Sequence, residues 1–193
     1  MSTDPHPRPI SSKDIGRCLT ALLRQRGVDK TLCPSEVARQ LAEKDWRPLM
    51  PRVREVATRM ADRGDVVATQ QGRPVWIPLT KGPIRLRRRT ETRDPETPCK
   101  KLLNIGPVVS EELRSHGIDT LDELRKIGAT ETFTRVMLRR WHEGHRRGVF
   151  HAMYLQAIYG ALHDANCIEL DQPLRDHLRE LARIIRRDCV GTE

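Results

Sequence analysis

A chain of 193 residues can hold one ordinary domain or two small ones. Apolar residues are 37% and charged residues 32% of it, with only seven aromatics, so each core is aliphatic and modest. No stretch approaches the roughly 18 apolar residues of a membrane span, and the first dozen residues, MSTDPHPRPISS, have no apolar signal region, which argues against secretion and membrane anchoring.

The net charge of +9 is unevenly spread. Residues 1 to 95 carry 20 Lys and Arg against 11 Asp and Glu, and the remainder carries 15 against 15. A basic module joined to a neutral one points to a polyanion, most often nucleic acid, as the partner of the first half. The competing reading is an arginine-rich surface with no such partner. Five scattered cysteines without a C-x-x-C pair fit a reducing cytosol rather than a disulfide framework.

In chain order, residues 1–11 read as a disordered tail. Ser11 or Ser12 then caps a helix whose apolar positions Ile15, Leu19, Leu22 and Leu23 run to Gly27. A second helix enters at Pro34 and buries Val37, Ala38 and Leu41. A third runs through Arg47 to Arg63 with Val53, Val56, Ala57 and Met60 on one side, Pro48 and Pro51 at or before its first turn, and Gly64 ending it. The period then changes: DVVATQQGRPVWI predicts a two-stranded hairpin turning at Gly72. Three helices and a hairpin wing spell a winged helix-turn-helix over residues 12–88. Residues 89–99, polar and proline-bearing, read as a linker. Residues 100–188 are helical throughout, with segments at 102–104, 108–116, 121–126, 130–140, 149–162 and 174–187. The expected fold class is therefore mainly α.

In a winged helix the third helix reads the major groove, where arginine makes paired hydrogen bonds to guanine. At about 3.6 residues per turn, Arg52, Arg59 and Arg63 fall on one stripe, apart from the Val53, Val56, Met60 stripe. Arg47 and Arg54 lie on the same segment, Arg73 sits at the wing tip, and Arg85, Arg87, Arg88 and Arg89 form a cluster suited to phosphate oxygens. The blander reading is a solvated basic helix followed by a charged linker. Catalytic signals are weak: His142, His145 and His151 lie near Glu143, but their spacing lacks the helical i, i+4 geometry of a zinc site. Trp46, Trp76 and Trp141 read as core or edge residues. No cofactor, metal or catalytic residue is called for.

Two resemblances follow from longer stretches. CPSEVAR, WRPLMPRVREVA, GDVVATQQGRPV and KGPIRLR, in this order, resemble a small bacterial family of unknown function expected to be winged-helix. LLNIGPVVSEELRSHGIDTLDELRKIGA and YLQAIYGALHDANCIELDQPLRDHLREL resemble the C-terminal domain of TfoX, a competence-regulator family. That resemblance implies an all-α domain around a helix-hairpin-helix, whose turn here is Asn104, Ile105, Gly106 and Pro107. Such a turn binds backbone phosphate through its amides and the following helix N-terminus. Asn104 replaces the first of the usual two glycines, and Glu111 and Glu112 follow at once, so the turn reads more as a fold or protein-contact element.

The sequence thus points to a non-enzymatic bacterial cytoplasmic protein of the DNA-binding or transcription-regulating kind. Its first half would meet duplex DNA, and its second half would assist or dock a protein partner. The alternative is an interaction adaptor that does not touch DNA.

Overall fold

A computed structural model describes residues 9–27, 30–89, 93–145 and 149–191; most of the expected tail, residues 1–8, lies outside these. The chain is mainly helical with one small sheet. Helix α1, Ser12–Arg26, starts where Ser11 and Asp14 form a reciprocal capping box and ends at Gly27. Strand β1, Thr31–Leu32, leads into α2, Pro34–Leu41, and a single 3-10 turn, Arg47–Leu49, enters α3, Met50–Asp62. Strands β2, Val66–Gln70, and β3, Arg73–Pro74, are joined by Gln71 and Gly72 at φ 52° and 82°. Positive φ at both positions is the requirement of a type I′ hairpin turn.

The expected hairpin is thus present but short, and the main partner of β2 is β4, Arg85–Arg88. The sheet order is β1-β4-β2-β3, all antiparallel, with Leu86 registered against both Leu32 and Ala68. The basic cluster, read as suited to phosphate or more blandly as the start of a charged linker, therefore lies largely in an inner strand. Leu86 points into a core with Ile15, Leu19, Val37, Val53 and Ile84. Helix, strand, two helices and a returning strand laid beside the first make the arrangement expected of a winged helix.

The wing, which runs from the hairpin turn at residues 71–72 to residue 84, is pinned from beneath over residues 77–83. The Arg54 guanidinium donates to the carbonyls of Ile77 (3.2 Å), Thr80 (2.7 Å) and Gly82 (3.3 Å). The Gln70 amide donates to those of Lys81 (2.9 Å) and Pro83 (3.0 Å).

The second half contains α4, Pro107–Ser115, α5, Leu121–Ile127, α6, Ala129–His142, α7, Ala152–His163, and α8, Gln172–Val190. Phe133, Leu121, Leu124, Leu155 and Ile158 are at its centre. The short helix expected at 102–104 is a turn, preceded by a 3-10 turn at Cys99–Lys101. The helix expected from Val149 starts at Ala152, where His151 accepts the Met153 N–H. Residues expected as linker are tied to this half: Leu121 N–H donates to Thr97 O and Cys99 N–H to Asp119 O, and Arg93 pairs with Asp164 at 2.9 Å.

Trp76 belongs to neither the wing's surface nor the first core. It is 3% exposed and packs in the second core, its ring edge-on to Tyr159 at 6.2 Å. Around it the two halves cap each other's helices. Asp62, on the last turn of α3, accepts from the Thr130 N–H (3.0 Å) and hydroxyl (2.5 Å) at the start of α6. Gly128, at φ 89°, leaves the room that this carboxylate fills. Reciprocally, the His163 ring, stacked on Tyr159 at 4.1 Å, meets the Ala61 carbonyl near the end of α3 with Nε2 at 2.9 Å. The acceptor is a carbonyl, so Nε2 carries the proton and donates.

Burial, with Arg89 close by, pushes the His163 imidazole down from 6.5 to about 3. Above pH 6.5 the ring is neutral in folded and unfolded chains alike. Below it, only the unfolded chain takes up the proton, so stability falls with pH, by about 2 kcal/mol at pH 5. Urea midpoints at pH 7 and pH 5 should show this loss in the parent protein and little of it in His163→Gln. Trp76→Ala should cost about 3–5 kcal/mol by chemical denaturation followed by circular dichroism; a loss below about 1 kcal/mol would mean the two cores do not share this side chain.

Candidate nucleic-acid interface

Helix α3 buries Val53, Val56, Ala57 and Ala61 against the first core, which leaves Arg52, Glu55, Arg59 and Arg63 exposed on its outer side. The expected stripe Arg52, Arg59, Arg63 is thus assembled on one face. Glu55 falls within it and pairs with Arg59 at 2.5 Å. Both partners are exposed, so the pair is weak and a phosphate can displace the carboxylate. Arg47 is exposed just before α3, its guanidinium 4.8 Å from the Trp46 ring, on which Arg39 also lies. Arg54, a further arginine of the segment, faces the wing instead.

Arg73 is exposed at the hairpin tip. The four arginines of residues 85–89 separate because a strand alternates its faces. Arg85 and Arg87 are exposed on the outer face of the sheet, across the core from the α3 stripe, and Arg85 lies 3.7 Å from Glu36. Arg88 is half-buried and Arg89 is 7% exposed, both near the joint between the halves. The nine arginines therefore do not form one surface; Arg52, Arg59 and Arg63 form one, and Arg47 adjoins its N-terminal end.

The hairpin turn is differently built from its expected form. Asn104 adopts φ 68°, the left-handed geometry usually left to glycine. Its side chain points away from the α4 N-terminus: Nδ2 donates to Ala165 O (2.8 Å) and Oδ1 accepts from Cys167 N–H (3.0 Å). It lies over Gly160 of α7, where an added Cβ would meet both Asn104 Nδ2 and Ala165 O at 2.5 Å. The Asn104 amide is thus committed to the loop after α7.

The two glutamates are also accounted for. Glu112 receives two bonds from Arg140 (2.5 and 2.7 Å) and one from the Tyr154 hydroxyl (2.9 Å), and Glu111 pairs with Arg114 at 2.9 Å. Burial and this carboxylate raise the Tyr154 pKa, so the phenol stays a donor. At the start of α4, Gly106 caps without a side chain, Pro107 follows, and Lys100 and Lys101 border the same shallow hollow as Pro107. Space around Gly106 is open, and its φ of −79° is ordinary, so the backbone alone does not demand a glycine there. Leu103, Val108 and Ile168 are exposed apolar side chains, on the turn, at the start of α4 and on the loop that Asn104 holds.

Among the described residues, no three His, Cys, Asp or Glu side chains gather as a metal site, and no helix is long and apolar enough to cross a membrane. Trp76 was legible as a core or edge residue and Asn104 as part of the turn, but their partners, and the role of Asp62, were not, since those contacts reach about 60 to 85 positions away, beyond any local spacing. Asn104→Gly relieves the backbone but loses both loop bonds; it should lower stability by about 1–2 kcal/mol in urea melts, and a neutral result would refute the clamp.

Comparison with known proteins follows this division. No curated protein matches the chain. Residues 12–89 match the family described as a protein of unknown function (DUF3253), and residues 96–182 match the TfoX C-terminal domain.

Proposed function

We propose that this is a non-enzymatic regulatory protein whose first half contacts duplex DNA through α3. The observation that carries the reading is the exposed stripe of Arg52, Arg59 and Arg63 on the helix that a winged helix presents to the major groove. Arg47 extends that stripe, and Arg73 on the pinned wing can reach a neighbouring phosphate. Arg85, Arg87, Arg88 and Arg89, on other faces, take no part in base contact. The positive charge concentrated in residues 1 to 95 supports the same partner.

The TfoX-type half is a regulatory rather than a catalytic kind of domain. Its hairpin has Lys100 and Lys101 beside a helix start whose first amides lack intrahelical partners, which supports an assisting contact to DNA backbone. A role in competence is not carried over, because what matches is the TfoX C-terminal domain alone, over residues 96–182.

A second reading, an interaction adaptor, is favoured by one specific observation. The arginines are divided among several faces, while Val108 (76% exposed) and Ile168 (64%) offer apolar surface on the second half. In that case the hairpin side would dock a protein.

Fluorescence anisotropy of a labelled duplex with the full chain separates the two. With three phosphate contacts, affinity should fall roughly 40-fold between about 50 and 200 mM salt, and Arg52→Ala/Arg59→Ala should reduce the salt slope by nearly 2. Duplex affinity indifferent to salt and to these substitutions would leave the adaptor reading.

A further inference from the structure

One aromatic ring in the first half carries two positive charges. Trp46 lies in the loop between α2 and α3, half-buried where it packs against the first core. The Arg39 guanidinium, from the last turn of α2, sits 4.7 Å from the centre of its ring. The Arg47 guanidinium, from the 3-10 turn that enters α3, sits 4.8 Å from it. The two heads are therefore no more than about 10 Å apart, roughly one Debye length at 0.1 M salt, and act together on an approaching anion. Both arginines are exposed, and neither has an ion pair among the described residues, although Glu43 and Asp45 lie in the same loop.

As a fold device the arrangement is poor. A structural arginine stabilises through its partners, as Arg54 does by holding three wing carbonyls. Arg39 and Arg47 have only the ring, and two like charges beside one ring repel each other. What the ring supplies is aim. A guanidinium over an aromatic face engages through its own face, so the N–H donors in its plane stay available to an acceptor. Long side chains held in place beforehand also lose less freedom when they bind. Pro48 in the 3-10 turn and Pro51 in the first turn of α3 stiffen the backbone on which Arg47 stands.

We infer that Trp46 is a positioning residue that holds Arg39 and Arg47 as a two-armed clamp on the phosphate backbone of duplex DNA, beside the N-terminal end of α3. The inference rests on the reading of α3 as the helix in the major groove, and it adds Arg39 and Trp46 to that interface. In a helix-turn-helix the first helix crosses the backbone while the second enters the groove. Arg39 on the first and Arg47 at the entry to the second thus stand where the backbone passes. Arginine forks suit phosphate oxygens, and contacts of this kind fix register and raise affinity without choosing sequence.

The test is fluorescence anisotropy of the full chain with two labelled duplexes of unrelated sequence, between about 50 and 200 mM salt. Arg39→Ala should lower the salt slope by nearly 1 and weaken both duplexes by the same factor, roughly fivefold at the lower salt. Arg186→Ala, which removes an exposed arginine from α8, should change neither. Trp46→Leu keeps both charges and should weaken binding about threefold, and Trp46→Phe, which keeps a ring, should recover about half of that loss. In a chain already carrying Arg39→Ala/Arg47→Ala, Trp46→Leu should have no further effect, whereas a Trp46 that only supports the fold weakens both backgrounds alike. Should Trp46→Leu fail to fold by circular dichroism, Trp46→Phe in the two backgrounds makes the same comparison.

Arg39→Ala binding with the affinity and salt slope of the parent overturns the clamp, and Trp46 variants that weaken both backgrounds equally overturn the positioning role. A loss that depends on which duplex is used overturns the assignment to backbone. If the parent shows no salt-dependent duplex binding, the α3 reading and the clamp fall together. If Arg52→Ala/Arg59→Ala reduces binding and the Arg39 and Trp46 variants do not, the clamp alone falls.

Discussion

An exchange of helix caps between the two halves governs the rest of the structure. The N-terminus of α6 has no side-chain cap of its own, because Gly128 occupies that position, and it takes the Asp62 carboxylate from α3 instead. The last turn of α3 in return shows a carbonyl, Ala61 O, to His163 at the end of α7. Helix ends leave several amides or carbonyls without intrahelical partners, and burying such an end without a substitute is costly. Each half therefore completes the hydrogen bonding of the other. Burial raises the Asp62 pKa by more than its Thr130 bonds lower it.

Trp76 gives this exchange an apolar centre. It leaves the wing and enters the second core against Tyr159, whose other neighbour is His163. The wing can deliver it because Arg54 and Gln70 hold residues 77–83 by their carbonyls. Wing position, α3 and the second half are consequently one coupled arrangement. The spacing between the α3 stripe and the hairpin turn is thus set by packing across Trp76, Asp62 and His163.

Periodicity made the helices legible, because burying Ile15, Leu19 and Leu23, or Val53, Val56 and Ala57, requires an apolar residue every third or fourth position. The sheet was less so. Strand β4 shows a single apolar residue, Leu86, between arginines, and β1 has only two residues, so their pairing follows from tertiary register rather than from local pattern. The same alternation dispersed a cluster that looked continuous along the chain. Of the candidate interface, the α3 stripe was readable from spacing; the clamp of Asn104 on residues 165–167 was not, since hydrogen bonds across some 60 positions leave no periodic trace.

Net charge and available charge are different quantities in this protein. In the basic half, Arg54 is used to hold the wing, Arg26 to bind Glu36 and the Thr31 carbonyl, and Arg89 is buried at the joint. In the neutral half, Glu112 is matched by Arg140 and Tyr154, and Glu111 by Arg114. The acidic residues after the hairpin turn therefore oppose a phosphate less than their number implies, and the arginines of the first half attract one less than theirs implies. What a polyanion meets is set by which side chains remain on one exposed face within about a Debye length, roughly 8–10 Å at physiological salt. On that measure the positive charge left on one exposed face lies along α3, at Arg52, Arg59 and Arg63.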